Sequence, residues 1–143
     1  MRALRKFAAL PPGRQAVLLK ASFVVAGYRL ALTTLPFRWV RSAAARTGRA
    51  TGARRAGRSP EELTWAVTAA SRRVPRATCL TQALALQTLL GREGHASDLH
   101  IGVAKAEDGA FEAHAWLASG GRVLIGGGVE RFTPLVNIGS PVR

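Results

Sequence analysis

The feature that most constrains the fold is a change in the spacing of apolar residues near residue 96. Before this point, in the stretch 59–94, apolar residues recur every three or four positions, which is the period of a helix. After it, the stretches 97–104 and 111–118 read as strands of about eight residues. A chain of 143 residues suits one domain with one core. We therefore predict an α+β fold with a helical N-terminal half, followed by a helix packed on a small antiparallel sheet.

Both helices of the stretch 59–94 carry start and stop signals. Ser59 and Glu62 form an S-x-x-E capping pattern, and Pro75 ends the first helix after the stripe Leu63, Val67, Ala70 and Val74. The second helix begins near Thr78 and stops near Gly94. Its apolar face holds the residues Cys79, Ala83, Leu86 and Leu90.

Short turns separate the predicted strands. An Asp-Gly pair at 108–109 joins the first two strands, and the glycines at 120 and 121 lead into a third. The segments that complete the sheet are 122–127 and a short final strand at 131–136.

The N-terminal third is apolar and helical. Residues 17–35 are long enough to span a membrane, but Lys20 and Arg29 would each cost about 2.5 to 3.5 kcal/mol near the bilayer centre. A helix packed against other helices, with the charged ends of both side chains in solvent, fits better. Pro36 starts a second helix, and the glycines and arginines of 46–58 indicate a basic loop. The single domain 1–143 thus divides into a helical region at 1–45, for which we predict a docking role, this loop, and a core at 59–143 that contains the candidate catalytic residues Cys79 and His114.

The net charge of +13 favours acidic partners. We expect no nucleic-acid partner, because no aromatic residue lies among the arginines of the loop to stack on bases. Contact with a membrane surface is a weaker alternative. One cysteine excludes an internal disulfide and fits a reducing compartment, and the N-terminus lacks the apolar core of a signal peptide. The expected location is cytoplasmic.

The candidate chemistry lies in Cys79 and His114. Cys79 is predicted in the first turn of a helix, where the dipole favours an anion by about 0.3 to 1 kcal/mol and so favours thiolate over thiol. His114 lies on a strand, with Glu112 and Trp116 on the same face, and could act as the base. The alternative stays open that Cys79 is a packed thiol and His114 a half-exposed histidine. His95 and His100 are weaker candidates, and we expect no metal site.

The sequence resembles a known family in four places: CLxxALAL from Cys79, AHAW around His114, VLIGG at 123–127 and RFTPL at 131–135. Together these resemble the lasso-peptide biosynthesis B proteins, in their stand-alone leader-peptidase form, over residues 60–136. The resemblance implies a papain- and transglutaminase-like fold and a Cys79–His114 pair. It also implies removal of the leader from a ribosomally made precursor, with a separate leader-recognition protein and a lasso cyclase as partners and no cofactor.

The sequence departs from the family pattern at one position. The family has a carboxylate about twelve residues after the histidine, where this chain has Gly126. Asp98 and Glu130 are the nearest acids in the sequence, and a backbone carbonyl or an amide could also orient the imidazole. Gln82, one turn after the cysteine, is a further candidate for lining the site. The third role is therefore left unassigned.

Three functions remain at this point. The first is a cysteine peptidase that removes a leader peptide and depends on Cys79 and His114. The second is a non-catalytic adaptor whose basic, apolar N-terminal half docks a partner. The third is a basic nucleic-acid-binding protein, which would depend on arginines such as Arg54 and Arg55.

Overall fold

The computed structural model describes residues 1–49 and 57–139. Within these residues the chain forms five α-helices, four strands and a short 3-10 helix, Val129–Arg131. The helices are α1 (Arg2–Ala8), α2 (Pro12–Thr34), α3 (Phe37–Arg49), α4 (Pro60–Ser71) and α5 (Cys79–Arg92). The strands are β1 (Asp98–Lys105), β2 (Phe111–Ser119), β3 (Arg122–Ile125) and β4 (Thr133–Gly139).

The four strands form one antiparallel sheet in the order β3-β2-β1-β4. β1 and β2 form a regular hairpin in which His114 lies opposite Gly102. β4 returns to pair with the other edge of β1, with a shift in register between Ile101 and Gly102. The prediction of a mixed fold with a small antiparallel sheet is confirmed.

α5 lies at the centre of the molecule. Its residues from Ala83 to Leu90 are all buried, so that it has almost no exposed face beyond its first turn. On one side it packs against the sheet through Leu99, Ala115 and Leu117, and on the other against α2, α3 and α4. Each fully buried leucine stabilises the fold by about 1.5 to 3 kcal/mol relative to an exposed one.

The predicted helix starts are confirmed at both caps. The Ser59 hydroxyl accepts the N–H of Glu62 at 3.2 Å. In a full capping box the Glu62 carboxylate would accept the backbone N–H of Ser59. Here it accepts a hydrogen bond from the Arg58 side chain instead, at 3.1 Å. An ion pair between Glu61 and Arg122 links α4 to β3, and the guanidinium holds the pKa of the Glu61 carboxyl below its ordinary value.

Several predicted boundaries are wrong. α2 begins at Pro12, five residues before the predicted start, because Pro12 suits a first helical turn. α1 lies within the region 1–45 that was predicted to be helical, but its bounds were not predicted. α3 continues to Arg49, so that 46–49 is helical and not part of a loop. The stretch 50–56 lies outside the described residues. α4 ends at Ser71, four residues before Pro75.

In the described part of the chain, α2 is the one helix whose length and apolar composition would allow it to cross a membrane. Core helices of globular proteins pass the same test. Its buried residues are Val17, Leu18, Ala21 and Val25, which join the common core. Lys20 is exposed, as predicted for a helix packed inside a helical layer, whereas Arg29 is partly buried. Only 22% of its most apolar window is buried, so that much of its apolar surface faces outward.

Candidate active site

Cys79 is the first residue of α5, as the sequence predicted. Thr78 caps the helix, and its hydroxyl accepts the N–H of Thr81 at 3.3 Å. The N–H groups of Cys79 and Leu80 fall in the same first turn, where an α-helix has no internal acceptor for them. The thiol is half-buried against the core and forms no disulfide. These features place a partly accessible sulfur where the helix dipole favours negative charge.

The segment before α5 is fixed by Gln82. Its side-chain amide donates to the carbonyl of Ala77 at 3.3 Å. Arg76, just before, has a φ of 59°, which is unusual for a residue with a side chain and turns the chain into the helix. The amide of Gln82 therefore holds the backbone that carries Cys79 in place, which is a positioning role.

His114 has a defined partner for one ring nitrogen. Its Nε2 lies 2.8 Å from the carbonyl oxygen of Gly126. A carbonyl oxygen can only accept, so that this contact requires the proton on Nε2 in the neutral imidazole. Nδ1 then carries the free lone pair and is the nitrogen able to take a proton.

Gly126 occupies the position where the sequence resemblance led us to expect a carboxylate. Its φ is +85°, which favours glycine. A Cβ at this position would lie 2.7 Å from the carbonyl oxygen of Ala115 and 2.8 Å from Cβ of Trp116. No side chain fits there in this backbone. The residue that lacks the expected carboxylate instead supplies its own carbonyl to the imidazole.

Aromatic rings fix the plane of the imidazole. Phe132 stacks on His114 with ring centroids 4.9 Å apart, and Trp116 lies 6.2 Å away on the same face of the sheet. Trp116 is buried and stacks in turn on His100 at 5.3 Å. The Trp116 ring lies over Gly102, where a Cβ would be 2.9 Å from the indole. Phe132 was not identified from the sequence as part of the site, although the RFTPL motif contains it.

The other candidates for the third role lie elsewhere. Asp98 is exposed and pairs with Ala118, four residues along β1 from Gly102, which is the partner of His114. Four strand residues span about 13 Å, so that Asp98 cannot reach the imidazole. Glu130 is exposed in the 3-10 helix, and within the described residues no hydrogen bond joins it to His114.

The remaining histidines have structural contacts. Nε2 of His95 lies 2.8 Å from the carbonyl of Arg58, which ties the end of α5 to the start of α4. His100 is held by Trp116. Over the residues that the structure describes, no group of three His, Cys, Asp or Glu side chains could hold a metal ion.

The connection from α5 to β1 sets the direction of the helix relative to the sheet. α5 leads through 93–97 into the start of β1, so that its first turn lies toward the opposite end, where β1 turns into β2. A helix of 14 residues covers about 21 Å, comparable with the 26 Å of an eight-residue strand. Within the described chain no hydrogen bond joins the sulfur to His114.

The strand pleat places His114 on the face of the sheet opposite α5. Ala115 and Leu117 point to the face that packs on α5, whereas His114 shares the other face with Trp116. β3 pairs with β2 from Leu117 to Ser119, and the backbone of Gly126 then lies against Ala115 and Trp116. The imidazole of His114 is therefore on the sheet face away from the helices, next to the carbonyl of Gly126.

The arrangement defines a class: an α+β domain with a cysteine opening the central helix and a histidine on the adjoining antiparallel sheet. The sequence profile of the transglutaminase-like superfamily matches residues 23–137. The chain belongs to this superfamily, which includes cysteine peptidases and transglutaminases. Searches of curated proteins and of solved structures found no match.

Proposed function

We propose that this protein is a cysteine peptidase that removes the leader from a ribosomally synthesised lasso precursor peptide. The observation that supports it most is the hydrogen bond between His114 Nε2 and the carbonyl of Gly126. It orients a histidine, with Nδ1 as the basic nitrogen, at the position that the resemblance assigns to the catalytic base. Cys79 at the start of α5 is the matching nucleophile.

The proposed reaction has two stages. The thiol proton of Cys79 passes to Nδ1 of His114, and the sulfur attacks the scissile carbonyl carbon. The C–N bond then breaks, and the imidazolium returns its proton to the leaving amine, which becomes the new N-terminus of the core peptide. Water hydrolyses the remaining thioester and leaves the leader with a free carboxylate. Atoms and protons balance without a cofactor.

The N–H groups of the first turn of α5 provide the second element of catalysis. They are positioned beside the sulfur, where a tetrahedral oxyanion would form, and donors of this kind typically contribute about 3 to 4 kcal/mol. The carbonyl of Gly126 orients the imidazole but carries no negative charge. It therefore stabilises the imidazolium less than a carboxylate does, and we expect slow turnover in the absence of partners.

The expected partners follow from the same proposal. A separate leader-recognition protein would present the precursor, and a lasso cyclase would take the freed core and close the macrolactam ring. The expected location is the cytoplasm, with no cofactor. Membership of the superfamily also allows a transglutaminase, in which an amine replaces water in the second stage.

Mass spectrometry of the precursor peptide tests the proposal. The precursor is incubated with this protein, with and without its recognition partner, and the masses of leader and core are sought. We expect cleavage by the native protein and none by Cys79→Ala or His114→Gln. His95→Gln is the matched control, because His95 holds backbone and not the reaction centre. Normal cleavage by Cys79→Ala would refute the proposal, and a mass gain on the acyl fragment from an added amine would indicate transfer.

A non-catalytic adaptor is the second candidate. It is favoured by the lack of a hydrogen bond between Cys79 and His114 in the described part of the structure. Catalytic hydrogen bonds are often long without substrate and tighten in the complex, which keeps the peptidase ahead. An adaptor would bind the precursor or its partner equally well as wild type and as Cys79→Ala, and neither form would yield a core peptide.

A further inference from the structure

The outer face of α2 carries apolar side chains that nothing in the described chain covers. Leu19, Phe23 and Leu30 recur at helical spacing on this face, and Phe23 is 77% exposed. Isolated exposed apolar residues are ordinary, but a continuous stripe of large ones marks an interaction surface. α2 therefore has two apolar faces, of which the core uses one.

A groove lies beside this stripe, between α2 and α3. It has a volume of about 300 Å³ and is lined by Val24, Gly27, Ala31, Leu35 and Trp39, with Tyr28 and Thr88 on the α5 side. The hydroxyls of Tyr28 and Thr88 form a hydrogen bond with each other at 2.5 Å. The other side chains that line the groove are apolar. Trp39 is 61% exposed along it. We call this the α2–α3 groove.

The net positive charge of the chain comes from the same half. Thirteen of its 21 Lys and Arg residues lie in 1–60, a stretch without a single Asp or Glu. The other eight are balanced by the eight acidic residues of 61–143, so that the second half is neutral. Arg38 and Arg41 in α3 are exposed and are sequence neighbours of the lining residues Trp39 and Val40. The half of the chain that forms the groove thus carries a strong positive charge.

We propose that the α2–α3 groove docks an acidic amphipathic helix of a partner protein, with one large apolar side chain seated in the groove. Side-chain ridges of one helix pack into the grooves of another, and helix-in-groove recognition uses apolar anchors at helical spacing. Acidic residues on the partner would complement the positive charge of residues 1–60 and speed its association. The inference goes beyond the proposed peptidase activity and holds for an adaptor as well.

Other occupants fit less well. A second copy of this chain would bring two sets of thirteen like charges together. A bilayer would attract the charge and the outer stripe of α2, but it offers no projecting side chain to fill a concave groove of this volume. Both occupants are outcomes that the experiment below separates.

Gly27 provides a variant that fills the groove without harming the fold. A Cβ at Gly27 meets nothing within 4 Å, and replacement of a mid-helix glycine raises helix propensity. Gly27→Leu therefore adds a side chain to the groove in a helix that still forms. Gly13 is the matched control, because it lies in the same helix, outside the groove lining, and its added Cβ also meets nothing within 4 Å.

The probe is a fluorescent synthetic helix of about 20 residues, with Leu and one Phe on one face and Glu on the other. One control peptide keeps the apolar face but has Lys in place of Glu. The other keeps the composition but has its residues in scrambled order. Fluorescence anisotropy with the full chain in about 0.15 M salt measures binding. We expect the acidic helix to bind at least about tenfold tighter than either control.

The variants then locate the site. We expect Gly27→Leu to weaken binding at least about tenfold and Gly13→Leu to leave it unchanged. Arg38→Glu with Arg41→Glu should weaken it too, against Arg72→Glu with Arg73→Glu as a control in the neutral half. Equal binding by native protein and Gly27→Leu would overturn the proposal. Concentration-dependent self-association, or co-sedimentation with phosphatidylglycerol vesicles in preference to the peptide, would also overturn it if Gly27→Leu abolished either, because another occupant would then fill the groove.

Discussion

α2 and α5 are both apolar helices, but the fold uses them differently. α5 lies between the sheet and the other helices, and its residues from Ala83 to Leu90 are buried on all sides. α2 contributes Val17, Leu18, Ala21 and Val25 to the core and leaves its outer face exposed. The comparison teaches that apolar composition alone does not give burial. α5 is needed to hold this fold together, whereas the outer face of α2 is available for another molecule.

Truncation of one leucine in each helix tests whether α5 and the outer face of α2 differ in their contribution to stability. We expect Leu86→Ala to lower the free energy of unfolding by about 2 to 5 kcal/mol, because Leu86 is fully buried in α5. Leu19→Ala should change it by less than about 0.5 kcal/mol, because Leu19 is 50% exposed. Urea unfolding followed by circular dichroism measures both.

Leu18→Ala completes the set within one helix. Leu18 is next to Leu19 in the chain but is 3% exposed, so that its truncation should cost as much as that of other buried leucines. A large loss for Leu19→Ala, comparable with that for Leu18→Ala, would mean that the outer face of α2 is covered within the chain itself.

Alanine at three successive glycines sharpens the contrast at the site. Gly126→Ala should reduce peptide cleavage by about 10- to 100-fold, because the added Cβ pushes the carbonyl away from His114 and small displacements cost this much. Gly127→Ala should be neutral, since its Cβ meets nothing within 4 Å. Rates of core-peptide release, with thermal unfolding as a check on the fold, provide the comparison.

Gly128→Ala separates backbone strain from displacement of the carbonyl. Gly128 has a φ of +76°, but its added Cβ would meet nothing within 4 Å. We expect a modest loss of stability with cleavage largely retained. If Gly126→Ala and Gly128→Ala lowered cleavage equally, the effect would come from strain in the loop and not from the contact with the imidazole.

The sequence was sufficient for the elements whose signals are local. Caps at Ser59 and Thr78, the stop at Gly94 and the Asp-Gly turn depend on a few neighbouring residues, and the structure has the helices and strands that they predict. α1 was not separated from α2 within the predicted helical region 1–45, because it is short and has no buried residue. The end of α3 was misplaced because arginine and glycine in 46–49 were taken as loop residues.

The site was predictable in part. Cys79 at the start of a helix and His114 on a strand follow from spacing and from the resemblance to a family. The role of the Gly126 carbonyl could be named only as one option among several, because a backbone acceptor leaves no residue type to recognise. Phe132 was missed because its ring reaches His114 only through the return of the chain toward β4.

The measurement that tests the central claim most directly is the rate at which iodoacetamide alkylates Cys79 at about pH 7 in the native protein and in histidine variants. Cys79 is the sole cysteine, so that the mass gain reports one thiol. A free thiol reacts appreciably only as it ionises near pH 8.5, whereas a thiolate paired with an imidazolium reacts well below that pH. We predict alkylation that is at least about tenfold faster in the native protein and in His95→Gln than in His114→Gln, because only an adjacent base activates the thiol. Equal rates for the native protein and His114→Gln would contradict the Cys79–His114 pair.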